Sequence, residues 1–303
     1  MSKTSAWLNA MRLRTLPLSL SGIILGSGIA FHNDHWSWTI FVLAISTTIC
    51  FQVLSNFAND LGDSLKGTDN LSRVGPKRAV QSGRISKKEM KIAVYLTALL
   101  SACSAGLLIY VGTAGKSLNF VLAYSAMGGL SILAAILYTL GKRAYGYHGL
   151  GDLMVFVFFG LVSVLGVYTL YSGHFDSSII LPATTIGLLC TAVLNLNNMR
   201  DYKNDKRSNK NTLVVKMGPN MAKLYHAILI LLALSSFIVF LGGLHHKYFY
   251  TSLAPFVLLI FHIRKVMSIT VLKDLDPELF KVAISTFAIS VIFFMTVLVI
   301  HQQ

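Results

Sequence analysis

Two short acidic segments contain most of the carboxylates that could perform chemistry in this sequence. Their polar residues are, in the first segment, Asn59, Asp60 and Asp63 and, in the second, Asn198, Asp201 and Asp205. Each segment directly follows a long apolar run. In a helix, residues four positions apart lie on one face, so Asn59 and Asp63 are predicted to point to the same spot. The same spacing predicts that Asp201 and Asp205 share a face.

Clustered carboxylates repel one another and raise one another's pKa unless a cation lies between them. No His or Cys lies near either segment, so the available ligands are all oxygens. Oxygen ligands favour a hard cation, and Mg²⁺ is the natural choice when phosphate oxygens complete its shell. We therefore interpret all six residues as candidate Mg²⁺ ligands. The alternative is that they are solvated loop acids, but two copies at equivalent positions favour the metal site and suggest two related halves.

Basic and aromatic side chains close to these segments could bind a diphosphate. The candidates are Lys66, Arg78, Tyr138, Lys142, Arg200, Lys206 and Lys210. Tyr138 and Lys142 are again four residues apart, which predicts one shared helix face. Lys and Arg at adjoining helix ends can converge on phosphate oxygens, although they could also only anchor the chain at the membrane surface.

Asp152 stands at the start of the fifth apolar run. An acid at this position suits the positive end of a helix dipole, and an active-site role fits equally well. Both interpretations stay open, and we keep Asp152 as a candidate for the acceptor site.

The composition indicates a membrane protein. Of 303 residues, 54% are hydrophobic and 13% are charged, whereas soluble domains average about 25% charged residues. The net charge of +14 is dispersed between apolar runs, which is typical of membrane loops and argues against a nucleic-acid partner. No gap between the apolar runs is wide enough for a separate soluble domain, so residues 1–303 are predicted to form one domain.

The apolar runs predict nine transmembrane helices, since about 20 apolar residues are needed to cross a bilayer. The predicted spans are residues 15–31, 37–57, 91–112, 117–140, 152–172, 178–198, 221–243, 247–266 and 280–300. Of the 26 Lys and Arg, only Lys116 and Lys247 lie in one set of alternate loops. By the positive-inside rule the other set is cytoplasmic. The N-terminus is therefore expected inside and the C-terminus outside.

The two acidic motifs resemble those of the UbiA superfamily of intramembrane prenyltransferases. That family has nine transmembrane helices, an NxxxDxxxD motif after helix two, a DxxxD motif after helix six and a YxxxK motif between helices four and five. In this sequence Asn59 and Asp63 resemble the first of these motifs, and Asp201 and Asp205 resemble the second. Tyr138 and Lys142 resemble the third. The third acid of the first motif would fall at Gly67, while an acid occurs at Asp69.

The finer pattern resembles the branch that prenylates 1,4-dihydroxy-2-naphthoate in menaquinone synthesis. The similar segments are residues 59–69, 75–83 and 197–213, together with the opening residues 6–17. The resemblance implies an all-helical membrane enzyme of the bacterial cytoplasmic (inner) membrane, with a central cavity open to the cytoplasmic side.

The resemblance also implies the reaction. The enzyme would transfer a polyprenyl group from polyprenyl diphosphate to 1,4-dihydroxy-2-naphthoate with Mg²⁺, losing carbon dioxide and giving demethylmenaquinone that stays in membrane lipid. Asp63, Asp201, Asp205 and Lys142 would be the catalytic residues. Two alternatives remain: a sister branch with another acceptor, such as 4-hydroxybenzoate, and a transporter with inverted repeats. A transporter should carry charges near the membrane midplane, whereas the predicted helix centres are almost free of charge.

Overall fold

The computed structural model describes residues 2–70, 74–244 and 246–302 and is helical, with no strand in those ranges. Nine helices in them are long and apolar enough to cross a membrane, so the expected all-helical, nine-span fold is confirmed. We number them α1 (Lys3–His32), α2 (Trp38–Leu65), α3 (Lys87–Gly112), α4 (Leu118–Leu137), α5 (Gly151–Ser172), α6 (Ser177–Arg200), α7 (Pro219–Gly242), α8 (Lys247–Ser268) and α9 (Leu272–Ile300).

Two helices differ from the predicted spans in ways that affect the site. The apolar run of α2 was predicted to end at residue 57, but the helix continues to Leu65. The first acidic segment therefore lies on the last turns of a helix and not in a loop. The run of α4 was predicted to reach residue 140, but the helix ends at Leu137, which separates Tyr138 from Lys142.

α1 is interrupted near its start. An α-helix over Lys3–Met11 is followed by Arg12 in the left-handed region (φ 51°), a short 3-10 turn and a second α-helix over Leu16–His32. From α2, Gln52 donates a hydrogen bond to the hydroxyl of Thr15 (2.8 Å), and Asn56 donates one to the carbonyl of Met11 (2.9 Å). The bond to Met11 satisfies a carbonyl that the break in the helix leaves free, and the bond to Thr15 joins α2 to the turn.

The apolar side chains pack into two main clusters, and α6 is the most buried of the nine helices. The larger cluster joins α1 with α5 to α9 through Leu25, Val164, Leu189, Phe237, Phe256 and Phe293. The smaller one joins α2, α3 and the start of α1 through Ala6, Leu54, Phe57, Met90 and Val94. α3 and α4 present mostly exposed apolar side chains, as expected of helices that face lipid.

The segments that connect α2 to α3, α4 to α5 and α6 to α7 meet on one side of the helices. Asn204 donates a hydrogen bond to the carbonyl of Thr68 (2.9 Å), and the N–H of Asn211 donates one to the carbonyl of Tyr147 (3.0 Å). These bonds tie the loop after the second acidic segment to the other two connections. The two acidic segments are therefore held together although they are far apart in the sequence.

Candidate metal and diphosphate site

A cavity of about 1000 Å³ lies between the helices, and the first acidic segment contributes to its wall together with Asn197 and Arg200, which neighbour the acids of the second. Its polar lining includes Arg12, Asn59, Asp60, Asp63, Arg78, Tyr138, Asn197, Arg200, Lys210 and Asp276. Its apolar lining includes Ile23, Ala44, Leu108, Met127, Val167 and Leu170. Such a lining suits a ligand with a charged head and an apolar tail.

Asp63 is buried on the last turns of α2 and has partners on both carboxylate oxygens. Tyr147 donates a hydrogen bond to Oδ1 (2.6 Å), and Nη2 of Arg78 forms an ion pair with Oδ2 (2.7 Å). Arg78 also donates to the carbonyl of Asn59 (2.6 Å) and lies 3.2 Å from Asp69. Burial alone would lower the pKa of Arg78, but Asp63 and Asp69 outweigh burial, and the pKa lies above its ordinary value.

Asp60 faces a different set of partners. Its two carboxylate oxygens accept hydrogen bonds from the backbone N–H groups of Ala79 (3.0 Å) and Val80 (3.3 Å). The carboxylate thereby holds the segment that carries Arg78 against α2. This arrangement favours a bracing role for Asp60 over the predicted role as a metal ligand.

The second acidic segment begins at Asn198 in the last turn of α6 and continues into a short helix, Tyr202–Arg207. Arg200 donates two hydrogen bonds to Asp201, from Nε to Oδ1 (3.1 Å) and from Nη2 to Oδ2 (2.7 Å). Nη2 also donates to Asn197 (2.8 Å), and Nη1 donates to Asp276 of α9 (2.6 Å). The guanidinium of Arg200 thus donates to side chains of the protein, which favours a role in orienting Asp201 over the predicted role in binding the diphosphate.

Lys210 links the two segments electrostatically. Its Nζ lies 4.0 Å from Asp205 and 5.4 Å from the centre of the Tyr147 ring. Burial would lower the pKa of Lys210, but Asp63 and Asp205 raise it above its ordinary value. Because one acid comes from each segment, the buried ammonium marks the point where the two meet.

The donor chemistry of the site fits Mg²⁺. Asp63, Asp201 and Asp205 offer carboxylate oxygens, Asn59 and Asn198 offer amide oxygens, and all are hard ligands. The buried Oδ1 of Asn198 accepts no hydrogen bond from the described residues. Among those residues no three Asp, Glu, His or Cys side chains are grouped closely enough to hold an ion by themselves. A cation here would therefore draw part of its shell from amide oxygens and from a ligand such as a diphosphate.

Seven of the predicted residues do not line the cavity: Lys66, Lys142, Asp152, Asn198, Asp201, Asp205 and Lys206. Of these, Asp201 and Asp205 contact the lining residues Arg200 and Lys210. Lys142 follows Gly141, which has φ 89°, so the chain turns away after α4, and the lysine is exposed. The expectation that it shares a helix face with Tyr138 is wrong because the helix has already ended. Lys206 is exposed on its short helix.

Asp152 is buried at the start of α5 and interacts with Tyr225 of α7. Its carboxylate therefore faces a contact with α7, and its role at the acceptor site stays a prediction.

Tyr147 is the functional candidate that the sequence did not reveal. Its hydroxyl contacts Asp63 and also Thr68 (2.6 Å), and Lys66 Nζ lies 4.0 Å from the centre of its ring. A turn places it there, since the N–H of Gly146 donates to the carbonyl of Tyr138 (3.0 Å). A Cβ at Gly146 would stand only 2.7 Å from that oxygen. A Gly between two Tyr residues was the only local signal.

The chain is similar to known proteins over most of its length. The UbiA prenyltransferase family model matches residues 17–298. A protein of Escherichia coli (strain K12) named 1,4-dihydroxy-2-naphthoate octaprenyltransferase is 43% identical over 277 residues, which cover 91% of this chain and 88% of the relative. A Haemophilus influenzae protein of the same name is 45% identical over 240 residues, which cover 78% of this chain and 77% of the relative.

Solved structures share the fold. A UbiA homolog from Aeropyrum pernix K1 aligns with a TM-score of 0.66 and 17% identity, covering 97% of this chain and 98% of that one. A UbiA homolog from Archaeoglobus fulgidus bound to DMAPP and Mg²⁺ aligns with a TM-score of 0.63 and 14% identity, covering 98% and 99%. At these identities the likeness is one of architecture.

Proposed function

The chain belongs to the UbiA prenyltransferase family, and we propose that it transfers a polyprenyl group from polyprenyl diphosphate to 1,4-dihydroxy-2-naphthoate. The acceptor follows from the names of relatives that are 43–45% identical over most of the chain. The observation that carries the reaction type is a cavity whose wall combines acids of the first segment, the buried cations Arg78, Arg200 and Lys210, and an apolar surface.

The chemistry is a substitution at the allylic carbon of the donor. The ring carbon that bears the carboxylate forms a bond to this carbon, and the C–O bond to the diphosphate breaks with its electron pair leaving on the diphosphate. The bond between ring and carboxylate then breaks, its electrons return to the ring, and carbon dioxide leaves. The product is the reduced form of demethylmenaquinone.

Mg²⁺ would be held by Asn59, Asp63, Asn198, Asp201 and Asp205. When bound, it would neutralise charge on the leaving diphosphate. Lys210 and Arg78 place fixed positive charge at the same end of the cavity, where it stabilises the diphosphate more than it would in water. Lys66 lies beside them over the Tyr147 ring. The apolar lining would hold the tail and exclude water from the reacting carbon.

The protein is a multi-pass membrane protein, and we propose that it lies in the bacterial inner membrane as one domain over residues 1–303. The distribution of Lys and Arg supports a cytoplasmic N-terminus and a cytoplasmic location for the polar end of the cavity. Reporter fusions after residue 80 and after residue 210 should then report the cytoplasm, and a C-terminal fusion should report the outside. A C-terminal fusion that reports the cytoplasm would overturn this orientation.

The acceptor is tested with purified protein in lipid nanodiscs, a polyprenyl diphosphate, Mg²⁺ and dihydroxynaphthoate carrying ¹³C in its carboxyl group. We expect ¹³C carbon dioxide and a prenylated naphthoquinol in equal amounts, identified by mass spectrometry. A parallel reaction with 4-hydroxybenzoate tests whether the protein instead uses the acceptor of the sister branch. Turnover of 4-hydroxybenzoate without turnover of dihydroxynaphthoate would overturn the proposed acceptor while leaving the prenyl transfer.

A further inference from the structure

A row of buried ionisable side chains crosses α7, α8 and α9 outside the cavity wall. Nε2 of His226 lies 2.9 Å from Nε2 of His262, and Nδ1 of His262 lies 2.6 Å from Oε2 of Glu278. All three side chains are almost fully buried, and we call them the buried polar chain. Lys281 reaches the other oxygen of Glu278 (2.7 Å) from a largely exposed position. Ionisable groups inside membrane helices are costly and point to a function.

The buried polar chain ends next to a residue that does reach the cavity. Glu278 and Asp276 both lie in the first turn of the α-helical part of α9, Asp276–Ile300. Asp276 lines the cavity, and its Oδ1 accepts a hydrogen bond from Nη1 of Arg200. Because His262 fixes Glu278, it also fixes the first turn of α9, and with it the position of Asp276.

Arg200 connects this turn to the second acidic segment. Its guanidinium is planar and rigid, so its two sides cannot move independently. Asp276 holds one side, while Nε and Nη2 donate to the two oxygens of Asp201 on the other. The orientation of the Asp201 carboxylate therefore depends on where Asp276 stands.

We propose that the buried polar chain and Asp276 are positioning residues that act through Arg200 to orient Asp201 for the cation of the active site. This inference rests on the proposed function, because it assigns Asp201 to the metal. Partners that orient a metal ligand usually change metal affinity about 10-fold to 100-fold when they are removed.

The test is the affinity of the purified full-length protein for Mn²⁺, measured from the electron paramagnetic resonance signal of free Mn²⁺ in the absence of substrates. We expect Asp276→Asn to raise the dissociation constant about tenfold. Asp276→Glu should recover part of the loss, since it restores the charge. Asp176→Asn, in the loop between α5 and α6, is the matched control and should leave the constant unchanged.

Glu278→Gln tests whether the buried polar chain acts through Asp276. It should weaken Mn²⁺ binding alone, but combined with Asp276→Asn it should add little, because both changes act by one route. If Glu278→Gln does not fold, His262→Leu, which removes the hydrogen bond to Glu278, replaces it in the same cycle. The side chain of Asp276 is 45% exposed, so Asp276→Asn should fold in either case.

Two outcomes would overturn the inference. If Asp276→Asn or Glu278→Gln folds and its dissociation constant for Mn²⁺ is unchanged, the buried polar chain is only a structural contact between helices. This holds even if the melting temperature falls. No Mn²⁺ binding by the unsubstituted protein would remove the metal site on which the inference depends. The carbon dioxide assay is independent of this measurement, so failure here is distinguishable from failure of the proposed reaction.

Discussion

The hydroxyl of Tyr147 donates a 2.6 Å hydrogen bond to Oδ1 of Asp63, while Arg78 forms an ion pair with Oδ2 of the same carboxylate. Asp63 is thus held from two sides by residues of two different connecting segments. The ring of Tyr147 also lies beneath Lys66. One tyrosine therefore positions an acid of the first segment and a cation beside it.

Tyr147→Phe should lower kcat/KM roughly tenfold or more, because a hydrogen bond to a charged group contributes about 1.5–3 kcal/mol. The substitution keeps the ring beneath Lys66 and removes only the hydroxyl. Steady-state kinetics in nanodiscs checks this, with Tyr110→Phe on the exposed face of α3 as the control. Equal kinetics of Tyr147→Phe and the control would show that the bond to Asp63 is not needed.

Lys210→Gln should raise KM for the polyprenyl diphosphate and lower kcat by about tenfold or more, because it removes a buried charge next to Asp205. Lys142→Gln should stay within about twofold of the unsubstituted protein, since the exposed Lys142 lies outside the cavity wall. Steady-state kinetics of the two variants decide whether Lys142, as the sequence pattern predicts, or Lys210, as the structure indicates, acts on the diphosphate. A severe loss in Lys142→Gln would favour the YxxxK interpretation.

Gly62→Ala should abolish most activity, because its Cβ would lie 2.5 Å from Oγ1 of Thr139 and 2.8 Å from the backbone of the same residue. α2 would have to move, and Asn59 and Asp63 would move with it. Gly106→Ala in α3 is the matched control, since nothing lies within 4 Å of its added Cβ and Ala favours a helix by about 1 kcal/mol over Gly. Activity and melting temperature of both variants check the prediction, and an active Gly62→Ala protein would contradict the tight contact.

The alkaline limb of donor binding should depend on Lys66. Burial and the charge of Lys210 lower the pKa of Lys66 below 10.5, although Asp63 opposes them, whereas the pKa of Lys210 is raised. As the pH rises, Lys66 therefore loses its proton first and KM for the diphosphate increases. Lys66→Arg should move this limb to higher pH, because arginine stays protonated. Lys203→Arg is the exposed control, and identical limbs in all three proteins would exclude Lys66 from donor binding.

Much of the fold could be predicted from hydrophobicity and charge. All nine spans appear where the apolar runs lie, because each must be about 20 residues long to cross the bilayer. The ends of α2 and α4 were harder, since helices continue or stop according to contacts that a hydrophobicity pattern does not contain. Asp63 is polar and yet helical because Tyr147 and Arg78 satisfy its carboxylate.

The site was predictable only where a motif repeats. The spacing of Asp63 and Asp201 to their neighbours indicated the two acidic segments, and the structure brings these segments together. Tyr147 and Asp276 have no motif, and their importance comes from contacts across 84 and 76 residues of sequence. Lys142 is the opposite case. Its spacing from Tyr138 matches the motif, but the two side chains do not share a helix face because the helix ends at Leu137.

The central claim is that the two acidic segments form one site for a metal and a diphosphate. It is tested most directly by a double-mutant cycle with Asp63→Asn and Asp201→Asn, measured as kcat/KM in the presence of saturating Mg²⁺. Each single variant should lose about 100-fold or more, since even the outer partners of metal ligands cost up to about that much. The double variant should lose far less than the product of the two losses, because the residues act as a unit. Losses that multiply, or folded single variants with near-normal rates, would contradict the account.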